Sequence, residues 1–511
     1  MRGLWLVVLV MGCGAKDDDA PIESDSDIIV LDSDTGPTDT DTDTTPTVPC
    51  GALLGTATFG GPQGEGDPII AVADDGTTYV ASYFQGAVTF DSGGPNEVTL
   101  NALGTLDTAV IRYSASGAFE WVRQIGGAST SSPRGLTALD NGVAIAGAFA
   151  TNTTVSAGQA DSQILVTQGT NDAFVASFDG TGALNWAKGF GGVANDFTEG
   201  IAALDDGSII VVTTHDSTTT LGIGEANQVI LPLPASATAH VTFVSLAGGN
   251  GNLQWEEHVT GDLTSKVDDV AADGDQLVVV GHVEGPGTAI FGASQPLAIN
   301  MLPIGDLGFV ARYASDGTIL AVSEIQNWGA DTVSMADDGS AVVSGAFNSS
   351  IVFAPGLAGE KTMQSAATDI FVARYQATGV FLWAVQSETV PGGLTSPFDI
   401  AADATGGSVV VGSLSSRARF GAGAPNETDL SAQGLWDGFA ARYDSNGNLE
   451  CARQIGGDMM DASYAVVRRP DGSWDVGGFY SLTATVSLGQ ADSEDLDAEG
   501  GTDIFRVNYA F

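Results

Sequence analysis

The sequence predicts an all-β fold: a seven-bladed β-propeller made of four-stranded antiparallel units. Three observations predict it. From Cys50 onward the 511-residue chain repeats at intervals of about 66 residues. Each repeat sets short β-branched runs on either side of tight glycine turns. The repeating region also begins with the kind of strand that closes a unit, and ends with the kind that precedes it.

The closing strand of each unit is the most regular. "GAFEWVRQIGG", "GALNWAKGFGG", "GNLQWEEHVTG", "GTILAVSEIQN", "GVFLWAVQSET" and "GNLECARQIGG" place Trp121, Trp186, Trp255, Ala321, Trp383 and Cys451 at one position, 62–69 residues apart. An aromatic residue wedged between neighbouring units accounts for this series. A sugar-stacking platform is the competing account, and Ala321 and Cys451 weaken it.

Next comes a strand–turn–strand pair, as in "GLTALDNGVAIAGAF" and "GIAALDDGSIIVVTT". Its D-N-G and D-D-G triplets suit hairpin turns, because Gly and Asn accept positive φ cheaply. These turns put Asp74, Asp75, Asp140, Asp205, Asp206, Asp273, Asp337, Asp338, Asp403 and Asp471 on one face of the ring. A longer stretch follows, variable between units, for example "ATNTTVSAGQADSQILVTQGTN". It is expected to share the opposite face with the loops "GGPQGEGDPI", "GGASTSSPRG", "GGVANDFTEG" and "GGDMMDASYA". That variable face is the expected binding face, since function concentrates in loops held by a rigid scaffold.

The third strand reads "DAFVASF" or "DIFVARY" and starts at Asp107, Asp172, Asp369, Asp437 and Asp503; Asp306 is displaced by one residue and His240 takes the place once. Asp side chains at such points accept backbone N–H groups of tight turns. The alternative, a ring of carboxylates around a cation, makes these five the metal candidates, with Ca2+ as the ion. No other cofactor is expected.

Strand 51–61, "GALLGTATFGG", aligns without gaps on "GAFEWVRQIGG", with Gly55 at the Trp position. Strand 503–511, "DIFRVNYAF", is a third strand with no fourth behind it. Pairing the two would close the ring and remove an open edge, whereas a linear stack would end in capping units.

The strings "DAFVASFDGTGALNWAKGFGG", "GIAALDDGSIIVV" and "DGFAARYDSNGNLECARQIGG" resemble the SBBP (seven-bladed β-propeller) repeats of exported bacterial proteins, some of them tethered lipoproteins. The resemblance covers nearly all of 51–511. Its motifs are structural, so it implies a fold and no particular activity.

Residues 1–12 read as a signal peptide: Arg2, then an apolar run from Leu4 to Met11 too short to span a bilayer. "VMGC" resembles a lipobox, which implies cleavage before Cys13 and lipidation of its thiol. Residues 13–49 continue as an Asp/Thr-rich tether that cannot bury enough apolar surface to order itself, and 50–511 form the propeller domain. Gly14 and Ala15 follow Cys13, which by family analogy implies the outer membrane of a bacterial envelope, with the domain in the periplasm or at the cell surface. Cys50 and Cys451 remain as an even pair in an oxidising compartment, candidates for a disulfide.

With 63 acids against 17 bases and a net charge of -46, no basic stripe exists to bind nucleic acid. His215, His240, His258 and His282 have no zinc-protease context, and there is no nucleophile elbow and no P-loop lysine. Glu256 and His258 share one strand face without a third ligand. The expectation is a monomeric, non-enzymatic binding scaffold for a protein, a glycan or a divalent cation, held at the membrane by its lipid alone. The alternatives are a propeller enzyme such as a quinoprotein-like dehydrogenase, or a propeller lipoprotein of outer-membrane assembly.

Overall fold

The computed structural model describes residues 50–60, 63–233, 240–261, 263–285, 287–302 and 305–511. The signal peptide, Cys13 and the acidic tether lie outside them. Among the described residues the regular structure is all β, with no helix, and every named strand pair is antiparallel.

Unit two shows the pattern. Ser131–Leu139 pairs with Gly142–Phe149, which pairs with Asp172–Asp179, which pairs with Leu184–Phe190. The second and third strands are buried along their whole length, apart from Asp179. Val, Ile, Ala and Phe therefore occupy both faces, as strands covered on both sides require. Six more sets follow the same order of pairing. Their first strands are Glu65–Val72, Asp196–Ala203, Thr264–Asp273, Thr332–Met335, Thr395–Ala402 and Ala462–Arg468. The seventh set takes its fourth strand from Ala52–Phe59, which pairs with Glu494–Ala510 from Ala52↔Ala510 to Phe59↔Ile504.

One such sheet cannot cover both of its faces. Accordingly, each of the seven hydrophobic clusters draws on two consecutive sets. Tyr79 and Val110 of set one pack with Val143 and Phe174 of set two. Ile70 and Val80 of set one pack with Phe59, Ala465 and Val467 of set seven. The first strands also lie side by side in sequence order, and Glu65–Val72 meets both Ser131–Leu139 and Ala462–Arg468.

The stretch between second and third strands corrects one expectation. It is not an irregular loop but a regular two-stranded antiparallel β-ribbon. Its first tip residue, directly after the outgoing strand, has positive φ in every set: Asp91, Ser156, Gly222, Gly292, Ala354, Gly421 and Ser487, at 51–64°. Polar tip side chains then hold the start of the same set's fourth strand. Asp161 accepts from Leu184 N at 2.7 Å, Gln295 from Ile319 N at 2.7 Å, and Asp492 from Leu53 N at 2.7 Å. The ribbon stem pairs with the preceding set, as in Val155↔Ile125, Phe353↔Ile325 and Val486↔Ile455.

Candidate functional site

The repeated side chains are structural. The indole N–H groups of Trp121, Trp186, Trp255 and Trp383 donate to a turn carbonyl of the next set: Gly180, Gly248, Ser315 and Ser445, at 2.8–3.1 Å. Each indole lies against that turn's positive-φ glycine, where a Cβ would crowd the ring: Gly182, Gly251, Gly317 and Gly447. At the sixth position a disulfide stands in for the indole. Cys451 bonds to Cys50 with their Cα atoms 6.0 Å apart, and Arg453 Nε donates to Gly51 O at 2.8 Å.

The third-strand aspartates are buried turn clamps. Asp107 accepts from Leu103 N at 2.7 Å and Gln124 Nε2 at 2.6 Å; Asp437 accepts from Gln433 N at 3.1 Å and Gln454 Nε2 at 2.6 Å. Asp172 accepts from Gln168 N, and Asp369 from Thr389 N at 2.6 Å. Burial pushes the carboxyls of Asp107, Asp172 and Asp437 above their ordinary range. A Cβ on Gly60, Gly126, Gly191 or Gly456 would overlap the carboxyl of Asp503, Asp107, Asp172 or Asp437. This explains the glycine pair that ends so many closing strands. The clamps belong to separate sets and do not meet. Among the described residues no three His, Cys, Asp or Glu side chains converge on a metal position. His240 is placed only as a strand residue, opposite His215; Asp306 contributes its carbonyl, to Asn327 N. His258 pairs with Glu256 at 3.0 Å with no third ligand.

The hairpin-turn aspartates also cap their own turns. Asp75 accepts from Thr77 N, Asp206 from Ser208 N, Asp338 from Ser340 N and Asp471 from Ser473 N, all at 2.8–2.9 Å. Between three of these turns lies an open cavity of about 680 Å³ bordered by Asp74, Asp75, Asp140, Asp205, Asp206 and Arg112.

The constellation that sequence periodicity did not reveal lies at the other end of the first strands. Six of them bulge at the same level, between Gly66/Ile69, Pro133/Gly135, Thr198/Gly200, Val267/Asp269, Pro397/Asp399 and Ser463/Ala465. A bulge re-aims the extra side chain. The residues set free are Asp67, Arg134, Glu199, Asp268, Phe398 and Tyr464. In the fifth set Asp331, directly before Thr332, stands at this level, since Thr332↔Ser344 matches Gly135↔Ala146 in the aligned "GAF" strands. All seven remain at least partly accessible on strands otherwise largely enclosed.

These seven, one at the same level of each first strand, comprise one cation, four acids and two aromatics. Phe398 and Tyr464 stack at 4.3 Å with an 11° tilt. The Tyr464 hydroxyl bonds to Asp67, which also feels Arg134; burial outweighs both and raises the Asp67 carboxyl. Asp67 has φ 48° although Pro68 follows, a backbone state a pre-proline residue avoids. Burial lifts Glu199 to about 7 against Arg134 and Lys266, with Asp268 adding to the rise. Burial and Asp268 lift Asp331 to about 7. His282 Nδ1 meets Asp268 at 3.0 Å and Nε2 meets Glu284 at 3.3 Å. Burial opposes the His282 charge, but these two carboxylates raise its basicity overall. The only sequence signal for these seven was the short polar run at each first-strand start, such as "GDP", "SPR" and "TEG".

No family model matches the chain, and no curated protein matches it. Among solved structures, an exotype rhamnogalacturonan lyase, YesX, overlaps at a TM-score of 0.23 and 10% identity over 88% of this chain and 90% of that one. The rhamnogalacturonan lyase YesW gives the same TM-score, identity and coverage. An overlap that slight says nothing of activity.

Proposed function

We propose that the seven sets form a closed seven-bladed propeller of the SBBP type, acting as a non-enzymatic binding scaffold with its ligand site at the ring of bulged residues. The observation that carries this is the coincidence of six bulges at one level. Each disrupts its ladder locally, and together they present Asp67, Arg134, Glu199, Asp268, Phe398 and Tyr464 at one level of the first strands. Carboxylates beside an accessible aromatic pair suit a cationic group, through charge and ring-face attraction. The ligand class favoured is a protein segment presenting Lys or Arg. Closure is supported by the pairing of Ala52–Phe59 with Glu494–Ala510 and by the cluster shared between sets seven and one.

Titration calorimetry with tetra-lysine and tetra-arginine peptides tests the site, beside a glycan array with and without calcium. Binding should weaken at least tenfold in Phe398→Ala and in Asp67→Asn. Binding of neutral glycans alone, unchanged in both variants, would replace this reading. One observation favours a catalytic alternative: Glu199 and Asp331 are both near 7 and could hold a proton at neutral pH, as a general acid must.

The scaffold is proposed to be an outer-membrane lipoprotein, carried on the 13–49 tether from a lipidated Cys13. Palmitate labelling that persists in Cys13→Ser would remove that anchor.

A further inference from the structure

The seam between sets seven and one lacks the wedge found at most other seams. Four seams hold an indole, and a fifth holds the Cys50–Cys451 disulfide. At the Ala321 seam the turn glycine Gly379 comes close enough for a Cβ to meet the alanine methyl at 2.9 Å. At the remaining seam Gly55 stands in the Trp position, and a Cβ built on it meets nothing within 4 Å. The space beside it is a mainly apolar slot of about 100 Å³, open on one side and bordered by Gly55, Phe59, Val80, Tyr113, Gly117 and Arg506.

We propose that this slot binds a free planar aromatic ligand of indole size. Its framework is the one that accepts an indole at four other seams. Gly117, with φ 83°, corresponds to Gly182 and Gly447. Ala115 O lies two residues before Gly117, as Gly180 O lies two before Gly182; it accepts from Arg469 Nη2 at 3.4 Å and keeps a second lone pair for a ring N–H. A dry apolar cavity of roughly 150 Å³ is enough to take up benzene from water. At about 100 Å³ this slot is smaller than that, so it encloses only part of a ring and the rest emerges through its open mouth.

Arg506 refines the ligand class. Its guanidinium lies 5.8 Å from the Tyr113 ring centre at the edge of the slot. Its carboxylate neighbour Asp475 is 4.0 Å away and is already held by Arg469 at 2.8 Å. An anionic substituent on the ring therefore meets an incompletely neutralised cation, in a chain with few of them. The preferred ligand is an aromatic carboxylate.

Ligand-observed NMR and thermal melts of the full chain, with indole, indole-3-acetate and cyclohexanecarboxylate as probes, test the assignment. Indole should bind and raise Tm, indole-3-acetate should bind at least threefold tighter, and cyclohexanecarboxylate should not bind. Gly55→Trp supplies the missing ring from the chain itself, and should raise Tm while weakening indole at least tenfold. Gly55→Leu fills the slot in part and serves if the larger variant does not fold. Failure of indole to bind, or binding that survives both substitutions, overturns the proposal. Equal binding of cyclohexanecarboxylate overturns its aromatic character. Equal affinity for indole and indole-3-acetate, or an unchanged ratio in Arg506→Gln, removes the role given to Arg506.

Discussion

Arg312 carries the least compensated charge in the described residues. It is fully enclosed, none of its guanidinium nitrogens meets a hydrogen-bond partner, and burial lowers its basicity to about 10. Its counterparts are better served. Arg374 reaches Asp338 at 2.7 Å and Ser340 Oγ at 3.0 Å, and Arg442 reaches Asp403. An enclosed unpaired charge costs more than a well-packed apolar side chain of similar volume. Arg312→Met should therefore stabilise the fold, by about 1–4 kcal/mol, read from urea melts; a loss of stability would contradict the reading of Arg312 as an uncompensated charge. The aspartate clamps show the opposite economy. Asp437 takes two backbone N–H groups and Gln454, and Gly456 leaves its carboxyl room. Where the glycine is absent, in set five, Ser387 Oγ bonds to Asp369 at 3.3 Å instead.

At the scale of elements, the fourth strand joins neighbours rather than finishing its own sheet. Trp186 is buried against Gly251 and donates to Gly248 O at 2.8 Å. Trp186→Phe keeps most of the packing and loses the hydrogen bond, so it should cost about 1 kcal/mol. Trp186→Ala also opens a cavity and should cost about 3–5 kcal/mol. Near-equal losses in denaturant melts would show that the hydrogen bond, not the wedge, holds the seam. The ribbon is the element the sequence hid. Its strands are as short as three residues, such as Thr153–Val155 and Gln163–Leu165, too short for a clear alternation. Its signature is a conformation, positive φ at the first tip residue, which Asp, Ser, Ala and Gly all adopt.

For the whole molecule, two terms set stability. The Cys50–Cys451 bond spans 401 residues and ties the entry strand to set six. Cys451→Ser should cost about 2–5 kcal/mol, measured as the shift in urea midpoint with and without reductant; no shift would mean that Leu53–Asp492 and the strand pairing suffice. The second term is acidity. Burial raises Asp269 and Asp399 to about 7 and Asp461 to about 6, alongside Glu199 and Asp331. Each binds its proton more tightly folded than unfolded, where a carboxyl titrates at about 4. Their contribution is complete below about pH 4 and is lost as pH rises through 6–7. Against the upward push of burial, Arg442 and Thr405 hold Asp403 at about 2, and its contribution is lost as pH falls from about 4 towards 2. Repulsion among 63 acids adds to the loss on the alkaline side. Tm should peak near pH 5 and fall towards pH 8; a Tm that climbs over that interval would contradict these shifts.

The sequence by itself determined the all-β repeat, the unit length, the turn positions and the pairing of the entry strand Ala52–Phe59 with the last strand. These rest on local chemistry that recurs: Gly at positive φ, Asp beside a turn, Trp at one place in four of the seven fourth strands. The sequence pointed to the face, through loops such as "GGPQGEGDPI" and "GGVANDFTEG", but only the tertiary structure decided which of their residues are re-aimed there. Bulges arise from pairing across strands, so nothing local marks Glu199 or Tyr464 as the extra residue until its ladder partner is known. The slot at Gly55 was legible in part, as a glycine in the Trp series. That it is a slot rather than a collapsed seam depends on how closely Val80, Tyr113 and Arg506 approach, which packing alone settles.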